Sequence, residues 1–352
     1  MKKRILSVLL LCCMVLGLLP TTAFATGELR DSTNVTVTFD STGGSAVEPQ
    51  SVTQGQLVQR PADPIKDGYT FIGWYNKDDL QYINMPEWNF SYPVTKDLEL
   101  VAQWMEARPI STEPITYLDK DGKQQVCNEY TVLTSETKES ILDYTDKWYD
   151  LPAGWYVVKG DVTITPRLDT HGEVNLILTD GSHLTAEWGI NVKEGDTFTV
   201  YAQSTGEDTM GRLTACLPED FNSDGNVRYY VWPDRGLSGI GAGKRCREAN
   251  IIYENEGTII INGGNIQAKG QRQASAIGGP YSRTVIPSQD IPRQGGTIII
   301  NGGIVRTEAL EKGNDTVVES VGIGTCQFGY GGSVTINGGT VIAEAANDAI
   351  TT

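Results

Sequence analysis

The sequence predicts a mainly-β protein whose C-terminal half winds into a parallel β-helix. Two observations carry this. The phrase GTIIINGG stands at residues 257–264 and again at 296–303, and GSVTINGG follows at 332–339. Around these copies, short apolar/polar alternations are broken every few residues by Gly or Asp-Gly, the signature of strands and turns.

The repeats set the register. Aligning the copies on Asn262, Asn301 and Asn337 puts Thr335 opposite Ile260 and Ile299, so that position tolerates a polar group and faces out. Its neighbours Ile259, Ile298 and Val334, and Ile261, Ile300 and Ile336, then face in. Beyond each Gly-Gly the alternation resumes: Ile266, Val305, Val341 and Ala268, Thr307, Ala343 inward, Gln267, Arg306 and Ile342 outward. A third short strand closes each unit as SAIGG (275–279) or VGIGT (321–325), and LSGIG (237–241) reads as its counterpart one coil earlier. One such unit cannot close a core; stacked units can. The three asparagines then lie above one another at a turn, where their amides can bond along the stack. Their role is structural, and the glycines after them permit positive φ at a tight corner.

The N-terminus has a different purpose. Lys2, Lys3 and Arg4 precede an apolar run over 5–19, and Ala23-Phe24-Ala25 supplies a cleavage pattern, so residues 1–25 read as a secretory signal peptide. No later apolar run is long enough for a transmembrane span. Losing three positive charges takes the formal net charge from −16 to −19. That charge argues against a nucleic-acid partner. It suits an exported protein, secreted, extracellular or in the cell envelope of a bacterium. Cys127, Cys216, Cys246 and Cys326 remain, at spacings that match no zinc motif. Disulfides and buried free thiols are both open.

Residues 34–106 read as a small β domain. Val35, Val37 and Phe39 alternate before a break at Gly43-Gly44, and Leu98, Leu100, Ala102 and Trp104 share a face at its end. Phe39, Tyr69, Phe71, Trp74, Trp88, Phe90 and Trp104 supply burial area. The pattern resembles the internalin-type B repeat: Val37-x-Phe39-Asp40-x-x-Gly43-Gly44, Pro61-x-x-Pro64, Gly68-Tyr69-x-Phe71-x-Gly73-Trp74-Tyr75, Trp88-x-Phe90, then Val94-Thr95-x-Asp97-x-x-Leu100-x-Ala102-x-Trp104. The resemblance implies a β-grasp-like module of exported and surface-attached bacterial proteins, without enzyme activity. Trp74 and Trp104 read as packing residues rather than sugar platforms. Residues 107–153 read as a linker or arm, with ETKESILDYTDKWYD as a short helix or extended segment.

Residues 154–352, through GWYVVKGDVTI, LILTDGSHLTA and the INGG…IGG cycle, resemble the glycine-rich, pectate-lyase-like β-helices of exported bacterial proteins. The resemblance implies a right-handed parallel β-helix that binds polysaccharide, with lyase activity in relatives; the fold alone does not decide.

No catalytic set emerges. The outward positions of the aligned coils carry neither the clustered carboxylates of a Ca²⁺-dependent lyase nor the facing pair of a glycosidase. His171 and His183 read as surface or turn histidines. GLSGIGAGKR lacks a phosphate loop's residues at Ser238 and Arg245. In DFNSDGNVRYYVW, Asp220, Asn222 and Asp224 stand at alternate ligand positions before Gly225, but Val231 replaces the usual acidic twelfth residue. The loop is either a weak Ca²⁺ site or an Asp-Gly turn, and Tyr229, Tyr230 and Trp232 either a ligand platform or packing. The chain stops one step into another turn, which implies a fragment or an end shielded by a partner. The leading expectation is a non-catalytic surface protein whose β-helix binds polysaccharide or another host or cell-surface ligand. A polysaccharide lyase or hydrolase and a purely structural stalk are the alternatives.

Overall fold

The computed structural model describes residues 33–80, 87–137, 148–215, 238–242, 244–247, 250–253, 255–270, 274–279, 293–309, 321–325, 329–345 and 348–351. They are mainly strand. The signal segment, the loop at 220–232 and the residues 138–147 lie outside them.

The first unit is a four-stranded sheet of β1 (Asn34–Asp40), β2 (Gln50–Thr53), β3 (Tyr69–Asn76) and β4 (Leu98–Glu106), in the order β2-β1-β4-β3. β1 and β4 run parallel at its centre, and the outer pairs are antiparallel. Period-two alternation puts Val35, Val37, Phe39, Leu98, Leu100 and Ala102 on one buried face. Trp74 is fully buried there, edge-on to Phe39 at 5.0 Å and to Phe71 at 5.4 Å. Trp104 is half-buried, and its indole N–H donates to Thr42 Oγ1 at 2.8 Å. Both tryptophans are packing residues.

The segment read as a linker contains strands. Ile110–Ser111 and Tyr130–Val132 extend a nine-stranded sheet, and Ile115–Leu118 pairs with Gln124–Cys127 as a hairpin. The next strand starts at Trp148 rather than Gly154 and runs to Val158. The prolines at 109 and 114 fall between these strands, where no ladder donor is lost.

From Arg167 the chain visits three faces in a fixed order. On the first face Arg167–Leu178, Thr197–Ala202, Thr258–Ile261, Thr297–Ile300 and Ser333–Ile336 pair in parallel. On the second, Asp161–Ile164, His183–Ala186, Arg212–Ala215, Asn265–Lys269, Ile304–Ala309 and Thr340–Ala345 do the same. On the third, Ile190, Ile240, Ile277, Ile323 and Ile350 form a column through parallel bridges and strands. Registers make further columns: Val174, Phe198, Ile259, Ile298, Val334, and Leu184, Leu213, Ile266, Val305, Val341. These side chains, apart from the exposed Ile350, belong to or pack against one continuous apolar core.

The inward column keeps its register at the edge, where Ile336 pairs beside Ile300, but its burial changes. Ile300 is fully buried, but Ile336, one strand further, is 45% exposed, since among the described residues no strand pairs with Ser333–Ile336 on its outer side. Val334, Val341 and Ala343 are half-buried for the same reason. At the Asn-Gly-Gly corners the second glycine takes the left-handed conformation, with φ of 98° at Gly264, 82° at Gly303 and 83° at Gly339.

Candidate functional sites

Two places concentrate polar chemistry. The first is built on Arg167–Leu178, whose pairing with Trp148–Val158 shifts register between His171 and Val174. Such a bulge re-aims side chains, and Gly172 accommodates it at φ 77°. The register sets Asp150 directly beside Asp169, and His171 shares a side with Asp169 two residues on. Two carboxylates so placed need counter-charge, and His171 and Lys193 supply it.

His171 corrects the reading of a surface histidine: it is only 6% exposed. Its Nε2 lies 2.9 Å from Asp150 Oδ1 and 3.5 Å from Asp169 Oδ2. Its Nδ1 faces Glu87 Oε2 of the first unit at 3.9 Å and has no hydrogen-bond partner. Lys193 Nζ donates to Thr170 O at 2.6 Å and to Asp196 Oδ2 at 3.1 Å. Asn191 Nδ2 donates to Asp169 Oδ1 at 2.7 Å, and the Gly172 N–H donates to Asp196 Oδ1 at 2.7 Å. Glu87 also accepts from Arg60 Nη1 at 2.7 Å. The cluster therefore joins the first unit to the stacked strands. His183, the other histidine, is half-buried and bonds Thr214 Oγ1 at 2.9 Å.

Titration follows from these contacts. Burial and Lys193 oppose a charged His171, but Asp150, Glu87 and Asp169 outweigh them and raise it to about 9. Burial works against a charged Glu87 as well, yet His171, Lys193 and Arg60 hold its carboxyl below the usual range. Burial dominates at Asp196 and raises it.

The second place is the outward side of the nine-stranded sheet. Trp155 and Tyr201 stack with centroids 5.2 Å apart and planes 27° from parallel. Tyr117, on the hairpin Ile115–Leu118, packs 4.9 Å from Trp155 and 4.8 Å from Tyr201. Gln203 Nε2 donates to Thr116 O at 3.0 Å and pins the hairpin there. All three rings are half-buried, so part of each is open to solvent. Burial pushes the Tyr201 phenol up to about 12. Further along the same side, Asn301 Nδ2 donates to Asn262 Oδ1 at 2.7 Å and Asn337 Nδ2 donates to Asn301 Oδ1 at 2.8 Å. The three asparagines are thus brought into one bonded column.

A polar cleft of about 260 Å³ runs between coils, lined by Glu194, Asp196, Asn255, Glu256, Gln294 and neighbouring Gly and Thr residues. Burial raises the Glu256 carboxyl to about 7, against one stabilising bond from the Gly296 N–H at 3.0 Å. Asp220, Asn222, Asp224, Tyr229, Tyr230 and Trp232 lie outside the described residues. Cys127 is a buried free thiol. Among the described residues no helix is long and apolar enough to cross a membrane.

Sequence reasoning missed the His171 cluster because its members come from widely separated stretches. Asp169-x-His171 within an alternating strand, and Lys193 three residues before Asp196, were the available signals.

Residues 36–103 match the Listeria-Bacteroides repeat domain. Two relatives come from Evansella cellulosilytica. One, provisionally named a Gly-rich membrane protein, is 29% identical over 161 residues, which are 45% of this chain and 16% of the relative. The other, provisionally named a membrane protein, is 36% identical over 70 residues, 20% of this chain and 10% of the relative. The chain thus spans less than a fifth of the length of these curated relatives. No solved structure matches.

Proposed function

We propose that the chain is an exported, non-catalytic protein of a bacterial surface or envelope, in which a β-grasp-like repeat carries a parallel β-helix that binds polysaccharide. The repeat match and the membrane-protein names of the relatives support the location. The fixed order of three parallel faces supports the β-helix. The strong general preference for right-handed crossovers between parallel strands supports its hand.

One observation carries the binding reading. Trp155, Tyr201 and Tyr117 form a half-open aromatic array on a sheet face that continues as a column of amide side chains. A sugar ring offers an apolar face to an aromatic and hydroxyls to amides, so the two features suit one extended glycan. The bonds within the His171 cluster support a joint rather than a catalytic centre: His171, Lys193, Asp169 and Asp196 are mostly engaged with each other.

The test is a glycan array followed by calorimetry on the best ligand. Trp155→Ala should weaken binding at least tenfold while the melting profile keeps its cooperativity. Binding unaffected by Trp155→Ala would move the site elsewhere. Failure on every glycan would leave the stalk reading, and release of unsaturated or reducing sugar ends would favour the lyase or hydrolase.

A further inference from the structure

The His171 cluster has a geometry that ion pairing does not use up. Asp150, Asp169 and His171 each offer a ligand atom, and these atoms all lie within 4.8 Å of one another. A zinc-class ion binds such N and O donors at about 2.0–2.2 Å, which places neighbouring donors of a tetrahedral set roughly 3.3 Å apart. The separations from His171 Nε2, 2.9 Å to Asp150 Oδ1 and 3.5 Å to Asp169 Oδ2, straddle that value. From this geometry we propose that Asp150, Asp169 and His171 bind a divalent transition-metal ion of the zinc class at the joint between the repeat unit and the stacked strands.

The surroundings suit an ion. A histidine ligand normally has a carboxylate or carbonyl behind its other nitrogen. His171 Nδ1, buried and without a hydrogen-bond partner, faces Glu87 at 3.9 Å. Asn191 donates to Asp169 Oδ1, and Oδ2 is the Asp169 oxygen that faces His171 Nε2, at 3.5 Å. Lys193, the competing cation, approaches Asp169 on Oδ1 at 3.8 Å and is tethered to Thr170 O and Asp196. Asp150, 35% exposed at its side chain, opens the site to entry and to a water as fourth ligand. Imidazole among the donors favours zinc, cobalt or nickel over calcium or magnesium. The ion would tie Glu87, through His171, to the strands that carry Asp150 and Asp169.

The experiment titrates the purified full chain, freed of metal by chelation, with Co²⁺ and then Zn²⁺. The expected result is visible Co²⁺ absorption of tetrahedral intensity at one equivalent, displaced by one equivalent of Zn²⁺ and unaffected by excess Ca²⁺. Asp150→Asn alters the most open ligand, so it should preserve the fold and weaken Co²⁺ binding at least tenfold. Glu87→Gln should weaken it about 10- to 100-fold by loosening the histidine. Absence of Co²⁺ absorption overturns the site. So does a sulfur-to-cobalt band in the near ultraviolet, which would assign the ion to cysteine, or binding indifferent to Asp150→Asn. Displacement by Ca²⁺ overturns the metal class.

Discussion

The stacked parallel strands (each level a coil) and the joint at His171 are both buried, yet they are held in opposite ways. In the coils each inward position repeats the one below it, as in Ile259 over Ile298 and Ile266 over Val305, and the interior is almost wholly apolar. Any coil can rest on any similar coil, because apolar burial is non-directional. The joint holds Glu87, Asp150, Asp169, His171, Lys193 and Asp196 within a few ångströms, and each has a specific partner. Buried ion clusters add little net stability relative to apolar packing but penalise any wrong arrangement. The coils therefore supply stability, and the joint fixes how the first unit meets them.

That contrast can be broken most sharply inside the coils. Ile300→Asp should cost about 5 kcal/mol or more, through lost burial and a carboxyl without partners. The same change at half-buried Ile299 should cost well under half as much, and at Ile336, 45% exposed, less still. Denaturant melts of the three variants check the gradient, and equal losses would contradict the registers.

At the joint the expected loss is smaller and has another origin. Lys193→Met removes the cation that pairs with Asp196, while Asp169 keeps His171, and should cost about 3 kcal/mol. Adding Asp196→Leu should restore part of that, which no pair of coil substitutions should do. A double-mutant cycle measures the coupling.

The pH dependence separates the two regions further. His171 has a folded value of about 9 against an ordinary 6.5. Its contribution is fully present below about 6.5 and disappears as pH rises through 9. Glu256, in the coils, has a folded value of about 7 against 4.5, so its contribution disappears over that lower window. Glu87 runs the other way: its depressed carboxyl contributes above its ordinary value and fades as pH falls below it. Melts of metal-free protein between pH 5 and 10 should show a two-stage decline, with Glu256→Gln removing the lower stage and His171→Gln the upper.

The smallest effect concerns the asparagine column. Asn301→Ala deletes two amide bonds at a half-exposed corner and should cost about 1 kcal/mol. Asn337→Ala deletes one and should cost less.

The parallel strand registers were legible in the sequence because their rule is local and repeated. Thr335 opposite Ile299 was enough to orient a whole face, and the repeat of Asn-Gly-Gly located the corners. The same rule could not show that Ile336 is exposed, since exposure depends on what lies beyond the strand. Nor could it show the strands in residues 107–153, where Ile110–Ser111 and Tyr130–Val132 are too short to have a period; Tyr130–Val132 lies along the edge of the long strand Trp148–Val158, and Ile110–Ser111 pairs with Tyr130–Val132 in turn. The His171 cluster was hidden more deeply. Its order depends on a bulge after His171, marked in the sequence only by Gly172, and on Glu87 arriving from the first unit, which leaves no mark near His171.

The glycines at the third corner have a consequence for how such a molecule can lengthen. Gly241, Gly278 and Gly324 lie one above another, and a Cβ at the first two would collide with the carbonyl of the next. A segment duplicated between these levels would need a glycine there, although Thr351 occupies that place at the level beyond Gly324. Successive asparagines are 39 and 36 residues apart, so duplicating one copy of the phrase with its spacer would add a segment of about that size. Each such segment adds one strand spacing, about 4.8 Å, to the length. Recombination between copies of the repeated phrase would thus lengthen or shorten the stack of strands by whole strand spacings while leaving the registers within each copy unchanged.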